Sequence, residues 1–405
     1  MKHPYTYLCC FLLAGAPALA QTPLTFTPLN ALPSGGRYGM GYCQDAAAFY
    51  MVGGGSPATA YNADVFRYEP TLDVWTPGSA TSSLTPQRLG TMAPATNGAG
   101  QPLLYVLNGT SATGTPVANM QTVNVANGAV GPVYINPVPT SGAAVAVWNN
   151  IIYAYGGQAS GTYTNQLRAY NPATDSWTTL APMPDARAVY GGAAVNGKVF
   201  AIGGYNGVIN SARVDVYTIA TNTWQALPTL PATVSNQAVA VQGDWLWLVG
   251  DFTNQTYLAA YNTTTGQLRT FTSNLPPRRN AAAAIRNGQL YVWGGNTASA
   301  NSSTLADMWV ANVSTVLATS PAAPPAAALQ AYPNPSTTGS TTLSLPEGTR
   351  RVEVYDALGR QVLAEALPAG TATWPLSLRQ QPAGLYLVRA RTAQGLSAGC
   401  RVVLQ

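Results

Sequence analysis

Charge is what this sequence has least of. Asp, Glu, Lys and Arg make up 8% of its 405 residues, against about 25% in an ordinary soluble domain. Long amphipathic helices need a charged outer face, so a helical cytoplasmic enzyme is a poor fit. Histidine occurs once, as His3, inside a segment expected to be cleaved. A mature chain without imidazole excludes Ser-His-Asp hydrolysis and histidine-held zinc, copper or haem. Of four cysteines, Cys9 and Cys10 share that segment, which leaves Cys43 and Cys400. With no CxxC and no larger even set, neither a disulfide scaffold nor a thiolate metal site is expected. No run beyond residue 20 approaches the ~18 apolar residues of a membrane helix. The expectation is no metal, no cofactor and no transmembrane span. A concentrated basic face is missing as well. Residues 21–319 carry eleven Lys/Arg against ten Asp/Glu, and residues 320–405 seven against four. Nucleic acid is not an expected partner.

What the chain does have is turn-forming and apolar residues: 39 Gly, 31 Pro and a hydrophobic fraction of 47%. That mixture suits many short strands joined by turns. Residues 1–20 combine Lys2, an apolar stretch from Tyr7 to Ala16, and Ala18-Leu19-Ala20 before Gln21. This is the three-part pattern of a secretory signal peptide, and it predicts export.

An internal repeat follows. Hydrophobic runs end in Gly53-Gly54, Gly156-Gly157, Gly203-Gly204 and Gly294-Gly295, with degenerate copies at Asn108-Gly109 and Gly250-Asp251. Successive copies are 44–55 residues apart. Four residues before each second position stands an aromatic: Tyr50, Tyr105, Tyr153, Phe200, Trp247 or Tyr291. Turns such as Asn196-Gly197 and Asn287-Gly288 separate the first two apolar runs of a copy, a strong hairpin signal. Third and fourth strands follow, marked by Tyr68/Trp75, Tyr170/Trp177 and Tyr217/Trp224 at a constant spacing of seven. The second copy has neither aromatic, and the fifth has Tyr261 with Leu268.

Four strands per copy at this period is the pattern of a β-propeller blade. The doublet together with the Tyr/Trp pair resembles the kelch repeat over residues 21–312. The sixth copy has a third strand at Asp307–Asn312 but no fourth with a Trp. Residues 24–30, whose Phe26-Thr-Pro-Leu resembles Trp177-Thr-Thr-Leu, are expected to close it, with Val313–Thr319 as the competing candidate. The expected fold is all-β: a six-bladed kelch-like β-propeller over residues 21–317, a Pro/Ala-rich linker over 318–331, and a small C-terminal β-sandwich over 332–405.

The kelch resemblance implies a ligand face built from the loops after the doublets and those entering each inner strand. Arg37, Arg88, Arg187 and Arg279 read as equivalent positions there, with Asp185, Tyr205, Asn206 and Asp251 beside them. Tyr61 and Tyr163 lie in the same loops. Arginine forks suit carboxylates and aromatic faces suit sugars, so a glycan or a protein is the expected ligand. Asp185 and Arg187 read as a local ion pair. A kelch-type copper oxidase is excluded by the missing histidines. A metal-free sugar mutarotase is the enzymatic alternative, with Asp185 or Asp251 as its acid, and a structural adhesion component is the other. A binding role is expected over an enzymatic one.

Beyond the linker the grammar changes. Tyr332-Pro333-Asn334-Pro335 opens the segment, Asp356, Gly359 and Arg360 mark a strand-to-turn motif, and Gly384 and Tyr386 begin a later strand. Together these resemble the C-terminal sorting domain of the type IX secretion system. The resemblance implies secretion machinery as a partner and a secreted or outer cell-surface location.

Overall fold

The computed structural model of the chain describes residues 23–78, 84–299, 301–317, 329–346, 348–392 and 397–405. The signal peptide expected over residues 1–20 and the linker over 318–328 lie outside them. The described residues are nearly all strand, and none forms a helix long and apolar enough to cross a membrane. The chain divides into two compact units between Thr315 and Val316.

Among the described residues, the first unit is a ring of six four-stranded antiparallel sheets, a β-propeller. Sheet 1 comprises Gly41–Gln44, Phe49–Val52, Val65–Glu69 and Val74–Pro77, and sheet 2 comprises Gln87–Thr96, Pro102–Ser111, Asn119–Asn124 and Val130–Ile135. Sheet 3 (Ala144–Trp148, Ile151–Tyr155, Leu167–Asn171, Ser176–Leu180) and sheet 4 (Gly192–Val195, Lys198–Ile202, Val214–Thr218, Thr223–Leu227) repeat the pattern. Sheet 5 runs Ala238–Gln242, Trp245–Val249, Leu258–Asn262 and Leu268–Thr270. Sheet 6 takes Ala282–Arg286, Gln289–Trp293 and Met308–Asn312 from the end of the unit and Thr27–Leu29 from its start. Thr27 pairs with Val310 and Leu29 with Met308, so the ring is closed by hydrogen bonds between distant parts of the chain. That pairing also covers a sheet edge.

The tight hairpins follow from residues that tolerate positive φ. Asn196-Gly197 (φ 50 and 73) and Asn287-Gly288 (φ 51 and 71) join first to second strands as two-residue turns, the geometry that matches strand twist. The core lies between neighbouring sheets. Tyr68 and Trp75 lie side by side with ring centroids 4.9 Å apart, Tyr170 and Trp177 at 5.0 Å, Tyr217 and Trp224 at 5.4 Å. Burial of such rings is the main stabilising term.

The second unit packs a three-stranded sheet (Gln330–Tyr332, Ser340–Ser344, Thr373–Ser377) with a four-stranded one (Gln361–Ala366, Thr349–Tyr355, Gly384–Thr392, Ser397–Leu404) around Leu343, Val352, Val354 and Val388. It corrects the linker boundary expected at residue 331. Leu329 is buried in this core, and Gln330–Tyr332 pairs with Ser344–Thr342. A leucine with alternating neighbours outweighs the Ala-rich composition around it.

Candidate functional site

One face of the propeller collects the loops after the doublets. The glycines are required there: Gly204 has φ +107, and a Cβ on it would lie 2.1 Å from the Ala188 carbonyl oxygen. The N–H of the second doublet residue donates to the next repeat, from Gly54 to Gln87 O, Gly157 to Arg187 O, Gly204 to Val234 O and Gly295 to Arg37 O. A Cβ on Gly250 would meet Arg278 O, as one on Gly156 would meet Arg187 O. This register places Arg37, Gln87, Arg187, Val234 and Arg278 in equivalence. Arg88 and Arg279 fall one residue later, a correction to the expected equivalence of the four arginines. Doubled arginines at 278–279 and an arginine after Gln87 hide a one-residue offset that only pairing resolves.

The two positions have different chemistry. Arg37 is buried and bridges to Asp64. Arg187 is 1% exposed, with Nη2 2.7 Å from Asp215 Oδ2 and Nε donating to Gly203 O at 2.8 Å. Arg278 is buried and reaches Asp307 at 3.1 Å. Each arginine ties the entry of a sheet to the third strand of that same sheet, at its start. The Asp185–Arg187 pair is therefore not formed. Asp185 instead meets Arg213 Nε at 2.9 Å, and Arg213 also grips Asp215. Asp251 is buried as a loop clasp, accepting the N–H groups of Ser235 (2.7 Å), Asn254 (2.7 Å) and Thr253 (3.0 Å). Asn206 Oδ1 closes its own turn on Val208 and Ile209 N–H.

Arg88 is half-buried, and Arg279 is buried at 7% exposure beneath exposed Phe252. Arg88 donates to the Tyr38 hydroxyl at 2.8 Å, with its cation 5.1 Å from the Tyr61 ring centroid. Arg279 lies 4.1 Å over Phe252 and donates to Ser299 Oγ at 3.3 Å. Burial lowers its pKa from the ordinary arginine value. Tyr205 meets Tyr163 edge-on at 5.8 Å and donates to Gly207 O. Reading the sequence missed Val208 and Ile209 in this loop, which are 83% and 63% exposed, and Phe252 at 46%. Their only signal is apolar side chains inside a loop that turn chemistry would fill with polar ones.

Beneath these loops the central passage narrows. Gly39, Leu89, Gly142, Tyr190, Asn236 and Asn280, one from each sheet's entry, all have φ between 52 and 64. Their backbones form a belt: Asn280 N–H donates to Asn236 O, Gly39 to Asn280 O, Leu89 to Gly39 O, Gly142 to Leu89 O and Tyr190 to Gly142 O, at 2.6–3.3 Å. The space inside the belt is about 30 Å³, room for a water and little else. Deeper in, the Tyr42 hydroxyl reaches from sheet 1 to sheet 5, where it accepts the Val239 N–H at 2.8 Å. Burial pushes its pKa up to about 12.

Tyr42→Phe is expected to cost about 1–3 kcal/mol, because the Val239 N–H is left unsatisfied. A folded-state pKa raised above an unfolded value of about 10 stabilises the fold fully below pH 10. That contribution is lost as pH rises through about 12. Thermal unfolding from pH 8 to pH 12 should therefore fall less steeply in the Phe variant.

In the second unit, Asn334 holds the last strand by both ends of its amide: Nδ2 donates to Arg401 O at 2.6 Å and Oδ1 accepts Val403 N–H at 2.8 Å. Asp356 organises the turn through Leu358 and Arg360 N–H and the Arg360 guanidinium, at 2.7–2.9 Å. Tyr386 is buried with its hydroxyl on Pro382 O. Tyr332 is exposed. Asn334→Ala is expected to cost this unit about 1–2 kcal/mol, seen as faster amide exchange at Val402–Leu404.

The KLHDC2/KLHL20/DRC7 Kelch-repeats domain matches residues 39–251, and the Secretion system C-terminal sorting domain matches residues 330–405. No curated protein matches the chain. The first match covers more than half of the sequence and falls on the sheets just described. The chain belongs to the Kelch-repeat β-propellers, and its sorting domain sends it through the type IX system to the cell surface or extracellular space.

Proposed function

We propose that the propeller is a protein-binding module whose contact surface is the doublet-loop face around Arg88, Arg279, Phe252, Val208 and Ile209. The observation that carries this reading is exposed apolar and aromatic side chains beside stacked arginines, above a throat of about 30 Å³. Aromatic residues and arginine are the groups that dominate protein interfaces. A small-molecule site would need a deeper pocket than this.

A glycan is the second reading, supported by the Tyr163–Tyr205 pair and the Arg279 guanidinium. The mutarotase alternative loses its geometric support. Asp185 is already paired with Arg213 and Asp251 with three backbone N–H groups, an arrangement that favours a structural role for both carboxylates.

A photo-crosslinking residue at Val208, compared with one at Leu72 on the opposite face, tests the proposal on cells exporting the protein. A protein adduct from position 208 alone is expected. Adducts from both positions, or from neither, would sink the reading. Saturable binding on a glycan array that Arg279→Ala abolishes would replace the protein with a glycan.

A further inference from the structure

In sheets 1, 3 and 4, which carry the Tyr/Trp pair, the pair packs backward onto the preceding sheet. Tyr170 of sheet 3 lies 5.7 Å from Tyr105 of sheet 2, and Trp177 Nε1 donates to Ile135 O at 2.9 Å. In sheet 4, Trp224 lies 6.3 Å from Tyr155 and donates to Ala181 O at 2.8 Å. In sheet 1, Trp75 lies 6.0 Å from Trp293 of sheet 6 and donates to Asn30 O at 3.3 Å. In sheet 2 the same two places belong to Val123 and Val130, directly opposite each other in the register that Tyr68 and Trp75 share.

Two valines cannot fill the volume of a phenol and an indole. Between sheets 1 and 2 a cavity of about 270 Å³ remains, walled by Tyr50, Val65, Pro77, Leu104 and Val123. We propose that this cleft is a binding site for a free planar aromatic compound, a phenol or an indole, seated where the missing ring pair would pack. Its sheet 1 wall includes Tyr50, the counterpart of the Tyr105 that receives Tyr170 at the junction of sheets 2 and 3, and Thr76, Asn124 and Asn127 add polar groups to the lining. An apolar cavity of roughly 150 Å³ already takes benzene. The rim is polar and fixed: the Tyr50 hydroxyl donates to Asp45 at 2.8 Å, and Arg67, which also lines the cleft, is held by Glu69 at 2.8 Å. A ring edge carrying O–H or N–H can stay hydrogen-bonded there while its faces are buried.

Titration calorimetry of the full exported protein with indole, 4-methylphenol and cyclohexylmethanol tests this. Both aromatics should bind, and the alicyclic alcohol about fivefold more weakly, since a ring-on-ring contact contributes beyond area. Val123→Phe and Val130→Trp, made separately, each place a ring of the protein's own in the cleft. Each should reduce indole binding at least about tenfold and raise the unfolding temperature by about 2–4 °C. Equal binding of the alicyclic alcohol, or no binding of either aromatic at millimolar concentration, would overturn the proposal whatever the variants do. Indole affinity unchanged in both variants would overturn it as well.

Discussion

Replacing Asp215 by Ala is expected to destabilise the propeller by about 3–5 kcal/mol, the effect of removing one partner from a buried ion pair. Asp215 is fully buried, and both of its oxygens are engaged: Oδ2 by Arg187 at 2.7 Å and Oδ1 by Arg213 at 2.8 Å. Its loss leaves the Arg187 cation sealed among the Gly203 and Ala201 carbonyls with no counter-charge. Arg187→Ala should cost less, because Asp215 keeps Arg213. Urea unfolding of the two variants gives both the size and the order. A cost below about 1 kcal/mol for Asp215→Ala would put the pair in the class of exposed ion pairs, against its burial. The same result bears on function. A binding defect in an Arg187 variant would report a loosened sheet, so surface variants at Arg88 and Val208 are the informative ones.

Phe26→Ala is the second large effect, about 3–5 kcal/mol for the loss of a buried ring. Phe26 is 1% exposed, one residue before the Thr27–Val310 pairing that closes the ring. Asn274, in the segment after sheet 5, clasps it, with Oδ1 accepting Phe26 N–H at 2.7 Å and Nδ2 donating to Phe26 O at 2.9 Å. Nothing local holds this strand, so the variant should open at the junction of sheet 6 before it unfolds elsewhere. Thermal unfolding measures the cost. Limited proteolysis near residues 24–30 that precedes cleavage elsewhere shows the location. Cleavage with no preference for that segment would show that Val313 and its neighbours, and not the first strand, hold the ring shut.

Much of this was legible without coordinates. Glycine doublets and Tyr/Trp pairs at a fixed spacing mark strands and turns, because positive φ and ring packing are demanded locally at those positions. The motif around Tyr332, Asp356 and Tyr386 is equally local. The binding face was harder. Arg187 and Arg279 look alike in the linear chain, yet one is sealed on Asp215 and the other stacks on Phe252. Leu89 and Tyr190 gave no signal of their left-handed backbones, since neither residue type favours that region. Asn236 and Asn280 do, and could have been flagged.

The sequence by itself determined an all-β Kelch propeller with a sorting domain at its end. Repeat spacing, turn residues and strand alternation are short-range properties, and each copy restates them. Tertiary structure decided the rest: which carboxylate each arginine meets, how far the throat closes, and where two valines leave a cleft. Those outcomes depend on one-residue registers within and between sheets, set by hydrogen bonds between segments that no local pattern links.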